Sequence, residues 1–264
     1  MKRAVISIPV HEAPDVVENH MDNIRKFVPN SMVVLHVSGD APGGMFEQLR
    51  NLEGGRMKDF LYLNRTRFHT YAPNEAGCAT GLSTVHASNF RFISARVPFD
   101  VFALETSNDM FVRKGIEEKF DKFACGCNSG NTQPVEWWSN NSWIPVMSKF
   151  VALKTIEKQP QEGAFYPSEV FKEVADIVLD KIGGLLASEE LILHTLALNL
   201  HPELYKSNSG RHYVFHNPTH AATTEVDILR VRRGESDGHY AVKRVPRSMS
   251  HPCRIFVNKL TEND

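Results

Sequence analysis

Phe99 to Gly115 reads FDVFALETSNDMFVRKG, and the fold can be worked out from this stretch. Val101, Phe102, Ala103 and Leu104 form a short apolar run, as in a strand buried on both faces. The run turns polar at once, with Glu105, Thr106, Ser107, Asn108 and Asp109. In open α/β sheets, ligands sit in the crevice beyond the carboxyl ends of the strands. Glu105, Asn108 and Asp109 are therefore candidates for a site. A loop whose Ser, Asn and Asp side chains only shape a turn and cap the next helix accounts for the same residues.

The pattern repeats upstream. Ala4 to Val10, AVISIPV, is a continuous apolar run and predicts a buried parallel strand. Val10, His11 and Glu12 stand at its carboxyl end, where a donor ligand is expected. A helix should start at Ala13-Pro14-Asp15 and end at Pro29-Asn30, since proline suits the first helical position. Val17, Met21, Ile24 and Val28 recur along it at helical spacing. Met32 to Val37 predicts a second strand, ending in Ser38-Gly39-Asp40. This strand–helix–strand unit argues for a nucleotide-binding half. Asp59 to Asn64 predicts a third strand, followed by Arg65, Arg67 and His69 in a solvated loop. Cys78 to Ile93 predicts a helix with Leu82, Val85, Asn89 and Ile93 on one face.

Beyond the central strand, residues 128–131 read as a loop and Pro134 to Trp138, PVEWW, as a strand or cleft-lining segment. Aromatic faces stack on sugars while carboxylates accept their hydroxyls, so Glu136, Trp137 and Trp138 are acceptor candidates. Neighbours on a strand point to opposite faces, so one tryptophan at most lines a cleft and the other belongs to the core. Trp143 opens a predicted helix through Val146, Met147, Phe150, Val151 and Leu153. Pro167 to Ile182 predicts an amphipathic helix closed by Gly183-Gly184. Ser188 is a candidate N-cap that places Glu189 and Glu190 in a first helical turn, where acids also belong for dipole reasons alone.

Composition narrows the function. The 264 residues suffice for one α/β domain with a well-buried core. With 30 basic and 31 acidic residues the net charge is −1, which gives nucleic-acid binding no support. Arg230, Arg232, Arg233, Lys243, Arg244, Arg247 and Arg254 crowd the last quarter, which points to a local anion site. The N-terminal apolar run is too short for a signal peptide, and no stretch approaches the ~20 apolar residues of a membrane span. Cys78, Cys125, Cys127 and Cys253 give no disulfide framework, and Cys125-Gly-Cys127 lacks a second pair at metal-site spacing. The expectation is a cytoplasmic protein with reduced thiols.

Asp100, Leu104, Ser107 and Asp109 resemble the middle strand of the family of branching β-1,6-N-acetylglucosaminyltransferases (core-2/I type) and peptide O-xylosyltransferases. PVHEAPDVVENHMDNI with VVLHVSGD resembles the opening of that family, and SWIPVMSKFVALKTI a later segment. Glu190, Thr195 and Asn199 match its P-D-E-x-x-x-x-T-x-x-x-N motif, with Ser188-Glu189 in place of Pro-Asp. The resemblance runs from Val5 to about Leu260. It implies a single GT-A-like α/β domain with a mixed central sheet flanked by helices. Residues 1–110 would form a Rossmann-type nucleotide-binding half, and residues 111–264 the acceptor and catalytic half.

It further implies an inverting transfer of a GlcNAc- or xylose-like sugar from a UDP-sugar to a glycan hydroxyl. Glu190 would be the base, Asp40 would read the nucleotide after a Ser-Gly insertion, and Asp109 would orient donor or acceptor. Lys243, Arg244 or Arg247, with Arg254 and more weakly Arg211 as further candidates, would hold the diphosphate. No Asp-x-Asp occurs in the chain, so no metal cofactor is expected, fixed cations taking its place. The lack of a membrane anchor implies a bacterial or virus-encoded relative. Three alternatives stay open: a metal-dependent enzyme with Asp109 and Glu105 as ligands, a non-catalytic nucleotide-sugar or glycan-binding protein, and a hydrolase. The last needs two carboxylates about 5–10 Å apart, for which Glu105 and Glu190 are the pair, and it leaves the basic cluster unexplained.

Overall fold

The computed structural model describes residues 1–38, 41, 43–65, 81–127, 132–182, 189–207, 209–219 and 221–261. Asp40, Arg67, His69, Cys78, residues 128–131, Gly183, Gly184 and Ser188 lie outside them. The first half runs β1 (Ala4–Val10), α1 (Pro14–Phe27), β2 (Met32–Val37), α2 (Met45–Gly54), β3 (Leu61–Arg65), α3 (Gly81–Ser94) and β4 (Val101–Leu104). Then come β5 (Met110–Phe111), α4 (Ile116–Lys122), β6 (Cys125–Gly126), β7 (Thr132–Pro134), α5 (Ile144–Met147), β8 (Thr155–Glu157) and β9 (Phe165–Pro167). The chain finishes with α6 (Ser168–Asp180), α7 (Glu189–Leu200), α8 (Pro202–Ser207), β10 (Ser209–Gly210), β11 (Val214–Phe215), α9 (Glu225–Arg232), β12 (Ala241–Val242) and α10 (Pro252–Lys259).

Seven strands form a mixed sheet in the order β10-β6-β9-β4-β1-β2-β3. β1 is parallel to both neighbours, with Val5 opposite Met32 on β2 and Phe102 on β4. β3 continues the parallel half, whereas β9 runs antiparallel to β4 and to β6. The sheet thus recruits three strands from residues 111–264. A second sheet, β11-β12-β5, and the β7–β8 hairpin stand beside it.

Period-2 alternation sorts the strand residues between two cores. Ala4, Ile6, Ile8 and Val10 of β1 join Val33, Leu35 and Val37 of β2 against Val17, Met21 and Ile24 of α1. Val5, Val34, Phe102 and Leu104 point the other way, against Phe90 of α3 and Phe171 of α6. On that second face a polar seam runs under α3. Ser7 Oγ lies 2.8 Å from His86 Nδ1, and Asn89 Nδ2 donates to Ser7 Oγ at 3.0 Å. Asn64 Nδ2 donates to Asn89 Oδ1 at 2.9 Å. Asn89 was placed correctly on the inward face of its helix, but it meets polar partners rather than apolar ones.

The α/β class, the mixed central sheet and the flanking helices agree with the sequence reading, as do α1 and α6. Three local expectations are corrected. Val135–Trp138 is a 3-10 turn rather than a strand. Trp137 is 73% exposed and Trp138 half-buried, so neither is core. The helix opened by Trp143 is only the four residues of α5, because past it the backbone bonds tighten to three-residue turns, Lys149 N–H to the Val146 carbonyl and Phe150 N–H to that of Met147.

One side chain couples the two sheets. Asn23, buried on α1, donates Nδ2–H to the Phe111 carbonyl at 2.9 Å and accepts the Phe111 N–H at 2.8 Å. Asn23→Ala leaves both β5 backbone groups unpaired, and chemical denaturation is expected to show a loss of roughly 2–4 kcal/mol.

Candidate active site

β1 and β4 lie side by side and parallel, yet the chain leaves β1 toward β2 on one side and arrives at β4 on the other. The space beyond their carboxyl ends is a topological switch point, where α/β sheets open a crevice. The residues following β4 form a tight turn. Asp109 Oδ2 accepts the Thr106 N–H at 2.8 Å, and the Asp109 N–H returns to the Thr106 carbonyl at 3.1 Å. Thr106 Oγ1 donates to Asn108 Oδ1 at 3.0 Å. From β1, His11 points to solvent while Glu12 turns inward and is 5% exposed. Glu12 Oε1 accepts the Ser107 hydroxyl and is met by Arg247 Nε and Nη2, each at 2.9 Å. One carboxylate therefore ties the end of β1 to the turn after β4 and to the C-terminal segment.

A second carboxylate reaches the same place from another direction. β9 runs antiparallel to β4, so the residues entering it lie at the carboxyl end of β4. The Gly163 N–H donates to the Leu104 carbonyl at 2.8 Å, which sets Glu162 beside the crevice. There it pairs with Lys243, just past β12. Burial pushes Glu12 and Glu162 upward, but their partners win and both end below the usual carboxylate value. Ser107, His11 and Arg247 bring down the first, and Lys243 and His216 the second. Both rim carboxylates are therefore ionised at neutral pH.

Beneath the rim the logic reverses. Burial raises Glu105 to about 8, and Asp109 is raised by burial and by the nearby Glu162 and Glu105 against the pull of Lys243. His20 Nε2 lies 3.4 Å from Glu105 Oε2, and burial depresses His20 to about 4 despite Asp109. Glu105 and Asp109 are completely enclosed. Glu105 and Asp109, both site candidates in the sequence, therefore stand in the floor and the turn beneath the crevice. Arg254 is also fully buried, donating to the Pro246 carbonyl at 2.8 Å and to Asn19 Oδ1 at 2.7 Å. It anchors the C-terminal segment to α1.

Other candidates lie around this centre. The Val10 carbonyl is taken by the Ser38 N–H at 3.2 Å. Asn108 is half-buried, and its carbonyl accepts the Val245 N–H at 3.1 Å. Lys243 and Arg244 are half-buried and Arg247 exposed; Arg244 has a φ of 65°, a left-handed backbone that turns the chain between its neighbours. Glu190 is half-buried in the first turn of α7, and its carbonyl accepts the Gln159 N–H at 3.2 Å, three residues before Glu162. Glu136, Trp137 and Trp138 pack instead with the β7–β8 hairpin, Trp138 donating to Gln133 Oε1 at 2.9 Å. Nothing described joins them to the crevice. Glu162 and His20 have no counterpart in the sequence reading. Neither sits in a recognisable pattern, and only the pairing of β9 with β4 and the packing of α1 bring them in.

No protein-family model matches the sequence, and a comparison with curated proteins finds no match. Solved structures of similar chain course exist. The mannosyltransferase PcManGT of Pyrobaculum calidifontis, in complex with GDP-Man and Mn²⁺, aligns at 12% identity and a TM-score of 0.47, over 89% of this chain and 61% of its own. Glycosyltransferase GlyE of Streptococcus pneumoniae aligns at 11% identity and 0.43, over 93% and 55%. S. aureus TarS aligns at 12% identity and 0.49, over 93% and 37%. The chain thus spans between about a third and two thirds of these proteins, and likeness of this size concerns the course of the chain rather than its chemistry.

The expectation of no metal cofactor is corrected at this point. The finding that overturns it is PcManGT, of similar chain course, which is in complex with GDP-Man together with Mn²⁺. Among the described residues, no three His, Cys, Asp or Glu side chains gather to hold a cation, and no step below is routed through one. No helix among them is long and apolar enough to cross a membrane.

The buried floor makes stability depend on pH. The Glu105 contribution is full below the ordinary carboxylate range. It is lost as pH rises toward about 8, because the unfolded chain releases that proton first. His20 works in the opposite sense: its contribution is present above 6.5 and lost as pH falls toward about 4. Urea denaturation is expected to show stability falling between pH 6.5 and 8, by roughly 1.4 kcal/mol per pH unit for one such carboxyl. Glu105→Gln should flatten that fall.

Proposed function

We propose that the protein is a glycosyltransferase that moves a sugar from a nucleotide sugar, a UDP-sugar, to a glycan hydroxyl with inversion. The observation that carries this reading is the pair of ionised carboxylate–cation contacts, Glu12–Arg247 and Glu162–Lys243, facing one crevice at the switch point of the sheet. A departing nucleoside diphosphate needs fixed positive charge where its own charge develops. Lys243 and Arg247 supply it, already oriented by carboxylates that a diphosphate displaces as it binds. Arg244 lies between them in sequence. The resemblance to the branching N-acetylglucosaminyltransferases and O-xylosyltransferases supports a GlcNAc- or xylose-like donor, with residues 1–110 as the nucleotide half.

In the transfer, the acceptor oxygen attacks the anomeric carbon while the bond from that carbon to the phosphate oxygen breaks. The acceptor proton passes to Glu190. This residue suits the task because it is only half-buried, whereas Glu105 and Asp109 are enclosed. Its turn is also tied to the Gln159–Glu162 segment that reaches the Lys243 pair. Thr195 and Asn199, five and nine residues further along the same helix, hold that segment in place. Thr195 Oγ1 accepts the Glu157 N–H at 3.0 Å, and Asn199 Oδ1 accepts the Lys154 N–H at 2.8 Å. Glu105 and Asp109 act as positioning residues for the turn that carries Ser107.

Calorimetric titration of UDP- and GDP-sugars, with Mn²⁺ supplied, followed by turnover of the tightest binder, tests the reading. Glu190→Gln is expected to keep nucleotide affinity and to lose on the order of 10²–10⁴ in kcat. Lys243→Ala and Arg247→Ala should weaken nucleotide binding. Unchanged turnover in Glu190→Gln moves the base elsewhere. Binding without turnover in the parent protein makes it a nucleotide-sugar receptor, and no binding of any nucleotide sugar removes the assignment.

A further inference from the structure

The three-stranded sheet has two ends. At one, β12 delivers Lys243 to the crevice. At the other, three residues back and roughly 10 Å away at 3.3 Å per residue, Tyr240 leads into β12 beside an open cleft of about 580 Å³. Four cations line that cleft: Arg113, Lys119, Lys122 and Arg211. Glu118 and Asp237 are its only acids, which leaves an excess of two positive charges. None of the four cations forms an ion pair among the described residues.

Lys119 is the unusual member. It comes from α4 and is 4% exposed, and among the described residues its ammonium donates to two carbonyls, of Gly238 at 2.5 Å and of His212 at 3.3 Å, and lies 5.9 Å from the Tyr240 ring. An ammonium has three N–H donors, so one is left over. Burying such a group without a carboxylate is costly, and burial with the nearby Arg113 and Arg211 lowers it to about 8 against the pull of Asp237. Arg113 spends only Nε, on the His239 carbonyl at 2.8 Å, while its guanidinium rests 4.2 Å above the Tyr240 ring. Two left-handed glycines keep these cations uncovered. A Cβ on Gly238 (φ +76°) would stand 3.1 Å from Lys119 Nζ, and one on Gly234 (φ +73°) 2.9 Å from Arg113 Nη1.

We propose that this cleft is a second binding site, separate from the crevice, for a phosphate-type dianion held by Lys119, Arg113, Arg211 and Lys122. A dianion matches the excess of two charges, and a tetrahedral oxyanion offers enough acceptors for donors that converge from three elements. The chemistry is the same for free phosphate and for the phosphate ester of a sugar. The site does not depend on the transferase reading.

The test is calorimetric titration of inorganic phosphate and of glucose 6-phosphate at low ionic strength, on the whole chain. Saturable binding is expected, weakened at least about tenfold by Arg211→Ala with Lys122→Ala, both at the cleft rim, and unaffected by Lys243→Ala with Arg247→Ala in the crevice. Binding should also take up protons near pH 8, read from the dependence of heat on buffer ionisation. Tighter binding of glucose 6-phosphate assigns the site to a phosphorylated sugar, and equal binding to free phosphate. The proposal is overturned if neither ligand saturates, or if the crevice variant abolishes binding and the rim variant does not.

Discussion

The pairing of β1 on both edges, with both of its faces covered, is the constraint on which the rest depends. A strand so placed must be apolar throughout, and AVISIPV admits one polar side chain, Ser7, because α3 brings His86 and Asn89 to meet it. β2 and β4 both align to this strand, yet they are reached from opposite sides. The segments leaving β1 and β4 then diverge, and the ground between them stays open. Glu12 and Ser107, remote in sequence, become neighbours only because each follows the carboxyl end of one of two adjacent parallel strands.

Charge distribution follows the same geometry. Burying an ionised carboxylate is unfavourable unless a cation and hydrogen bonds accompany it. Glu12 and Glu162 have such company in Arg247 and Lys243, and both remain charged. Glu105 and Asp109 sit one layer deeper, where desolvation dominates, and hold their protons to higher pH. Two members of a basic cluster that looks unopposed in the sequence, Lys243 and Arg247, are thus matched by acids in the fold.

The T-x-x-x-N part of the α7 motif has a structural task. Asn199 and Thr195 take up the backbone polar groups of Lys154 to Glu157, and His194 Nε2 contacts the Pro160 carbonyl at 3.2 Å. The segment is laid along the helix like a strap. Its far end carries Glu162, so the helix sets where the second rim carboxylate stands.

The sequence by itself determined the elements whose signal is local. Continuous apolar runs gave β1, β2 and β4, and a 3.6-residue apolar period gave α1 and α6. The abrupt change from apolar to polar at Glu105 placed a site past β4. These signals need no partner, since burial on both faces or on one stripe is written in the residues themselves. Only the tertiary structure decided that Glu105 and Asp109 are floor rather than lining, that Arg254 is an anchor, and that Glu162 and His20 belong to the centre. Nor did the sequence reveal the cleft around Lys119, whose lining comes from stretches up to about 120 residues apart. Desolvation, ion pairing and enclosure depend on which distant segments a side chain meets, and strand order and helix packing set those meetings.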